Sequence, residues 1–193
     1  MMKPSAIPVF SMFLALFACE ASARDLWDRF LQNPEAQSFA ELSEIVDASQ
    51  CGWGKSANKE VVPDRVREPL FNLVASGNES AFVIGLSAVR CFDGADLEDF
   101  YRSSGHFMET RPRRFLTEVS ERQVGSSDVA SMAASVPTND DPDSALKKVA
   151  ERIALLRDLN DERIASAQAE SVRALREREA DLRRMKANLQ EGT

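Results

Sequence analysis

Apolar residues recur at intervals of three and four positions along most of this chain, and this spacing constrains the fold more than any other feature. Phe39, Leu42, Ile45 and Val46 share one face of a helix predicted over 38–50, and similar stripes return further along. No stretch alternates apolar and polar residues over the length of a strand. We therefore predict an all-α fold, a compact bundle of short helices with a long C-terminal helix. HEAT-like helical hairpins are the alternative arrangement.

Local start and stop signals place several of these helices. Ser38 and Glu41 have the spacing of a capping box, in which each side chain bonds an unpaired backbone N–H group. Asn78 is predicted to cap a core helix over 79–92, because the residues of that stretch are apolar on most sides. Gly105 is predicted to end the next helix.

The C-terminal third contains no Gly or Pro from position 143 to 191, which permits long uninterrupted helices. Residues 161–193 carry seven acidic and seven basic side chains and few apolar ones. We therefore predict a charged helical extension outside a domain of residues 24–160. In the extension Leu175, Leu182 and Leu189 stand seven apart and form one narrow apolar seam. We expect that seam to contact a partner protein or, weakly, a second copy of the chain.

The first 23 residues have the pattern of an export signal. Lys3 precedes an apolar run over 7–18, which is too short for a membrane span. We expect a cut between Ala23 and Arg24, because small side chains stand at positions 21 and 23. The alternative cut precedes Cys19, and a lipid on Cys19 would then anchor the protein. The protein is therefore expected to be periplasmic or secreted, or else an envelope lipoprotein.

Either cut leaves Cys51 and Cys91 as the cysteines of the mature body. Two cysteines in an oxidising compartment normally form a bond, so we predict a disulfide between them. Closing a loop of this length stabilises the fold by about 4 kcal/mol in the chain-entropy description.

Composition and motifs exclude several kinds of site. The net charge of −7 argues against nonspecific binding to nucleic acid. The segment SQCGWGKS (49–56) lacks the first glycine of a phosphate-binding loop, and TNDDPDS (138–144) lacks the Gly that an EF-hand requires. The single histidine, His106, accompanies no nucleophile motif and is expected in a turn or on the surface. We predict no cofactor and no metal.

These observations favour a non-catalytic role. We expect an exported helical binding or adaptor protein of the bacterial cell envelope, with a protein partner. An alternative is an inhibitor or immunity-type protein whose acidic surface covers a basic secreted enzyme. The remaining alternative is an enzyme with an unrecognised carboxylate site.

Overall fold

The computed structural model describes residues 25–34, 37–48, 61–136 and 141–191, which contain nine α-helices and no strand. The helices are α1 (25–32), α2 (Ser38–Ala48), α3 (Asp64–Ala75), α4 (Glu79–Ser87), α5 (Gly94–Thr110), α6 (Pro112–Glu121), α7 (Ser126–Ala134), α8 (Pro142–Arg157) and α9 (Ala165–Glu191). Single 3₁₀ turns lie at Val89–Cys91 and Glu162–Ile164. The predicted all-α class is confirmed.

Helix α4 lies at the centre of the molecule, as its apolar composition predicts. Every residue from Ala81 to Leu86 is buried. The Asn78 side chain accepts a hydrogen bond from the backbone N–H of Ala81 at 2.8 Å, so the predicted cap is confirmed. The helix ends at Ser87 rather than at residue 92. The chain tightens into the 3₁₀ turn there, which brings Phe92 back against Phe71 with ring centroids 5.2 Å apart.

Alternate helices stack on one another in two layers. Helices α3, α5, α7 and α9 pack in series on one side, and α2 and α4 pack on the other, with α6 beside α4. Stacked hairpins would show the same order, but α9 contacts α6, α7 and α8 together and closes the assembly. The predicted compact bundle with a long C-terminal helix is therefore what forms.

The long helix α9, predicted as a charged extension outside the domain, contributes Leu175 and Leu182 to the core cluster. It runs antiparallel to α8, because Lys186 pairs with Asp143 near one end while Gln168 donates to the carbonyl of Leu159 at 2.9 Å near the other. Leu175 and Leu182 are buried in the same cluster as the rest of the core, so in this structure their side chains face the bundle. Leu189 is 61% exposed, beyond the point where α8 begins.

Two further predictions about helix ends were wrong. Ser38 is the first residue of α2 rather than its cap, and its buried hydroxyl has no hydrogen-bond partner among the described residues. Glu41 instead accepts from the side-chain amide of Gln37 at 3.0 Å, so no capping box forms. Gly105 lies inside α5, which continues to Thr110. A glycine at that position lets Arg152 pack closely against α5.

The predicted signal segment lies outside the described residues, and so do Cys19, Ala23, Arg24 and Cys51. The described part of the chain holds one of the three cysteines, the buried Cys91, and therefore shows no bond between two described cysteines. The pairing of Cys51 with Cys91 stays a prediction. None of the described helices combines the length and the apolar character that crossing a bilayer requires.

Candidate functional site

A groove of about 430 Å³ lies between α3 and α5, and we call it the α3–α5 groove. Its volume is within the range of ligand sites in proteins. The side chains that line it are mostly charged or polar: Asp64, Arg67, Glu68, Phe71, Asn72, Ala75, Asp96, Asp99, Arg102, Ser103 and His106.

The two helices that form this groove run in the same direction. Arg67 of α3 pairs with Asp96 of α5, and one turn later Phe71 meets Phe100 with ring centroids 5.9 Å apart. Phe71 lines the groove, and the buried Phe100 packs against it. From residue 64 to residue 75, α3 supplies a wall about 16 Å long.

Glycine in the central helix α4 allows α5 to approach this closely. A Cβ atom on Gly85 would stand 2.3 Å from the ring of Phe100, a distance that no native contact shows. Gly85 therefore sets the depth at which Phe100 packs and, through Phe100, the position of the α5 wall. Gly85 and the ring of Phe100 are both buried, so neither is exposed in the groove.

The charges of the groove are arranged so that its cations are already satisfied. The Arg67 guanidinium lies between two carboxylates, Asp64 at 2.9 Å and Asp96, and its Nε donates to the carbonyl of Val62. Arg102 pairs with Asp99 on the same helix. Both guanidinium groups of the groove are therefore paired. The groove has four carboxylates and two guanidinium groups, so these side chains carry a net charge of two negative units. The resulting surface favours a cationic ligand.

Glu68 carries one of these excess charges. It is exposed at the middle of the α3 wall and has no ionic or hydrogen-bond partner among the described residues. The neighbouring Asn72 amide and the Ser103 hydroxyl likewise make no hydrogen bond within the described part of the chain. Three polar side chains around the centre of the groove are therefore available to a ligand.

At one end the groove leads to an ion pair between the partly exposed Glu109 and the buried Arg152. His106 lines the groove, and its Nδ1 lies 3.3 Å from Oε2 of Glu109. The other oxygen of Glu109 accepts from Nε of Arg152 at 2.8 Å. Arg152 is 1% exposed, and burial lowers the pKa of its guanidinium while Glu109 opposes that shift. His106 was expected in a turn or on the surface; it lies within the helix α5 rather than in a turn, and its side chain is partly exposed beside this pair.

Arg152 also joins three helices. Its Nη1 donates to the carbonyls of Ala133 at 2.8 Å and Ser135 at 2.6 Å, at the C-terminal end of α7. The guanidinium lies directly over Gly105 of α5, where a Cβ atom would stand 2.8 Å from Nη2 and 2.9 Å from the Ser135 carbonyl oxygen. Gly105 is therefore required for the close approach of Arg152 to α5 and does not end the helix.

The predicted site residues do not converge on this groove. Leu175 and Leu182 are buried where α9 meets the bundle, and Leu189 is exposed at the end of α9. The Asp143 region, considered for calcium, caps α8 instead, because Asp141 accepts from the backbone N–H groups of Asp143 and Ser144. Among the described residues, no group of three or more His, Cys, Asp or Glu side chains is placed to hold a metal ion.

Sequence reasoning missed both the groove and the ion pair of Glu109 and Arg152. Arg152 did leave a signal, because it occupies an apolar position of α8, three residues after Val149 and four before Leu156. The groove left no signal in the sequence, since no local sequence pattern indicates that α3 and α5 are neighbours.

No known protein family, no curated protein and no solved structure matches this chain.

Proposed function

We propose that the protein is an exported, non-catalytic binding protein of the bacterial cell envelope, and that the α3–α5 groove is its contact site. The observation that carries this proposal is the charge arrangement of the groove. Its two guanidinium groups are held by carboxylates of the same groove, and a net negative concave surface remains. Such a surface steers a basic protein into one orientation and excludes acidic competitors.

An adaptor that works through the C-terminal seam is not supported, since Leu175 and Leu182 lie in the core. Weak self-association through α9 would depend on Met185 and Leu189 alone, both more than half exposed. These two side chains are too few for the area of about 1,000 Å² that a specific interface needs. The groove is therefore the better contact surface.

A second candidate function is that of an inhibitor or immunity-type protein, and the same groove favours it. An acidic concave surface can cover the basic rim of an enzyme's active site. The two candidates differ in what binding does to the partner. An inhibitor lowers the turnover of a captured enzyme, whereas an adaptor leaves it unchanged. An enzyme that uses groove carboxylates is the third hypothesis.

The contact site is tested by reversing one charge in the groove and one elsewhere. Glu68→Lys places a cation at the centre of the groove, and Glu151→Lys makes the same change on an exposed side chain of α8 outside it. Each purified variant is immobilised and exposed to an envelope extract under identical conditions. Captured proteins are identified by mass spectrometry, and the binding of each is then measured with purified protein.

We expect a partner that binds the wild type and Glu151→Lys alike and binds Glu68→Lys at least tenfold more weakly. Circular dichroism of both variants should match the wild type, because both positions are exposed. A partner that binds all three proteins equally would refute the groove as the contact site.

The proposed export is tested separately. Protein purified from the envelope of a bacterial host should begin at Arg24 in mass spectrometry, since Ala21 and Ala23 fit the pocket of a signal peptidase. A mature protein that begins at a lipid-modified Cys19 would instead be anchored to the membrane. An uncut chain in the cytoplasm would contradict the proposed location.

A further inference from the structure

We propose that the α3–α5 groove binds an extended protein segment that carries Arg or Lys at two alternate positions. The inference rests on the proposed function and names the chemistry of the partner segment. It follows from where the excess charges lie, how far apart they are, and which polar groups surround them.

The excess negative charge is divided between two places along α3. At the first, one guanidinium of Arg67 faces the two carboxylates of Asp64 and Asp96, so this trio keeps one negative charge. At the second, Glu68 stands without an ionic partner among the described residues. The Asp99–Arg102 pair on the opposite wall is neutral. A ligand therefore meets two separate anionic positions.

The distance between these positions sets the spacing of the cations. Asp64 and Glu68 are four residues apart on one helix, which places them about 6 Å apart along its axis. In an extended chain, side chains at alternate positions point to the same side and lie about 6.6–6.8 Å apart. Two cations at alternate positions of an extended segment can therefore reach both anionic positions at once.

The polar groups of the groove favour an extended segment over a helical one. The Asn72 amide and the Ser103 hydroxyl make no hydrogen bond within the described part of the chain. An extended segment needs such partners because its backbone N–H and C=O groups are unpaired, whereas a helix pairs its own.

The test compares two synthetic peptides of identical composition. One has its arginines at alternate positions (acetyl-GSRSRSG-amide), and its isomer has them adjacent (acetyl-GSRRSSG-amide), so that in an extended chain they point to opposite sides. Each is titrated into ¹⁵N-labelled protein at low salt, and amide chemical shifts give the dissociation constant. The same titrations are made with Glu68→Gln and with Glu151→Gln as the matched control.

We expect the alternate isomer to bind about threefold more tightly than the adjacent one, the effect of one additional exposed ion pair. The shifts should concentrate at Glu68, Asn72 and Ser103. Glu68→Gln should remove the difference between the isomers, and Glu151→Gln should retain it. The amide spectra of the free variants show whether each is folded.

Equal binding of the two isomers to the wild type would overturn the inference, and so would shifts outside the groove. If Glu68→Lys still abolished binding of the envelope partner in that case, the groove would remain the contact site for a segment of another kind. If neither peptide bound and the partner ignored Glu68→Lys, the inference and the proposed function would both be wrong.

Discussion

At the scale of single residues, the least expected feature is a fully buried cation. Arg152 pairs with the partly exposed Glu109 and donates to two backbone carbonyls, so most of its hydrogen-bonding groups are satisfied away from water. Its Nη2 contacts Glu109 without the geometry of a hydrogen bond. A buried ion pair is not in itself stabilising, but removing one partner leaves polar groups without compensation. Arg152 therefore fixes how α5, α7 and α8 meet.

Replacing Arg152 should lower the free energy of unfolding much more than replacing an exposed arginine does. Arg152→Met removes the charge but keeps a long apolar stem, and we expect a loss of at least about 2 kcal/mol in the free energy of unfolding, because the carbonyls of Ala133 and Ser135 lose their donor. The matched change is Arg113→Met, because Arg113 is 56% exposed and pairs with Asp161. It should cost about 0–1 kcal/mol. Urea denaturation measures both, and similar losses for the two variants would show that the Arg152 contacts are dispensable.

At the scale of helices, α9 shows that a short apolar stripe is enough to dock a charged helix. Its composition is strongly charged, and the ion pairs along it, such as Arg183 with Glu179, lie on the exposed side. Leu175 and Leu182 point inward at the spacing of two turns. The apolar residues on the face that meets α7 and α8 therefore determine how α9 packs. The average composition of the helix does not.

Alanine at two leucines of α9 distinguishes its docked part from its exposed end. Leu175→Ala should lower the free energy of unfolding by about 2–5 kcal/mol, because it leaves a cavity in the core. Leu189→Ala removes the same atoms from a side chain that is 61% exposed, and we expect a change within about 0.5 kcal/mol. Chemical denaturation compares the two. Equal effects would mean that α9 is not docked along α8.

The turn between α8 and α9 predicts a dependence on pH. Hydrogen bonds from Arg163 lower the pKa of Asp161 from 3.8 to about 2, and Arg113 of α6 adds to the effect. Because the folded protein binds this proton more weakly than the unfolded chain, the ionised carboxylate stabilises the fold above about pH 4. That contribution is lost as the pH falls from about 4 to about 2.

Asp161→Asn should therefore lower the denaturation midpoint at pH 6, and its difference from the wild type should shrink as the pH approaches 2. Asp158→Asn, at the exposed end of α8, serves as the control and should show a smaller difference at pH 6. A difference for Asp161→Asn that stays constant from pH 6 to pH 2 would show that ionisation of Asp161 is not its cause.

At the scale of the whole molecule, one core connects the first described helix to the last. Trp27 of α1 is buried and donates to the carbonyl of Val61 at 3.0 Å. The cluster that contains Trp27 also contains Ile164 and Leu182 at the other end of the chain. A boundary at residue 160 would divide this cluster.

The molecule should therefore unfold in one transition. Trp53→Phe leaves Trp27 as the single tryptophan, so fluorescence then reports α1 while far-UV circular dichroism reports all helices. We expect the two thermal transitions of this variant to coincide. A separate transition in circular dichroism alone would indicate that a helical segment, such as α9, unfolds independently.

The fold class could be predicted from the sequence because helical periodicity is a local property. The start of α4 followed from the apolar residues of that stretch and from the cap at Asn78. The role of Gly105 was misjudged, because a glycine that ends a helix and one that admits a neighbouring side chain look alike in a sequence. The groove depends on Phe100 packing against Gly85, a contact between two helices that no local pattern encodes.

The placement of α9 has a consequence for how the protein is made. Synthesis produces α9 after every other described helix, yet it covers the inner faces of α7 and α8. A chain that stops before α9 would leave the apolar faces of α7 and α8 open to water, where chaperones and proteases recognise apolar surface. Cells would therefore degrade such prematurely terminated products and retain chains in which α9 has been synthesised and docked.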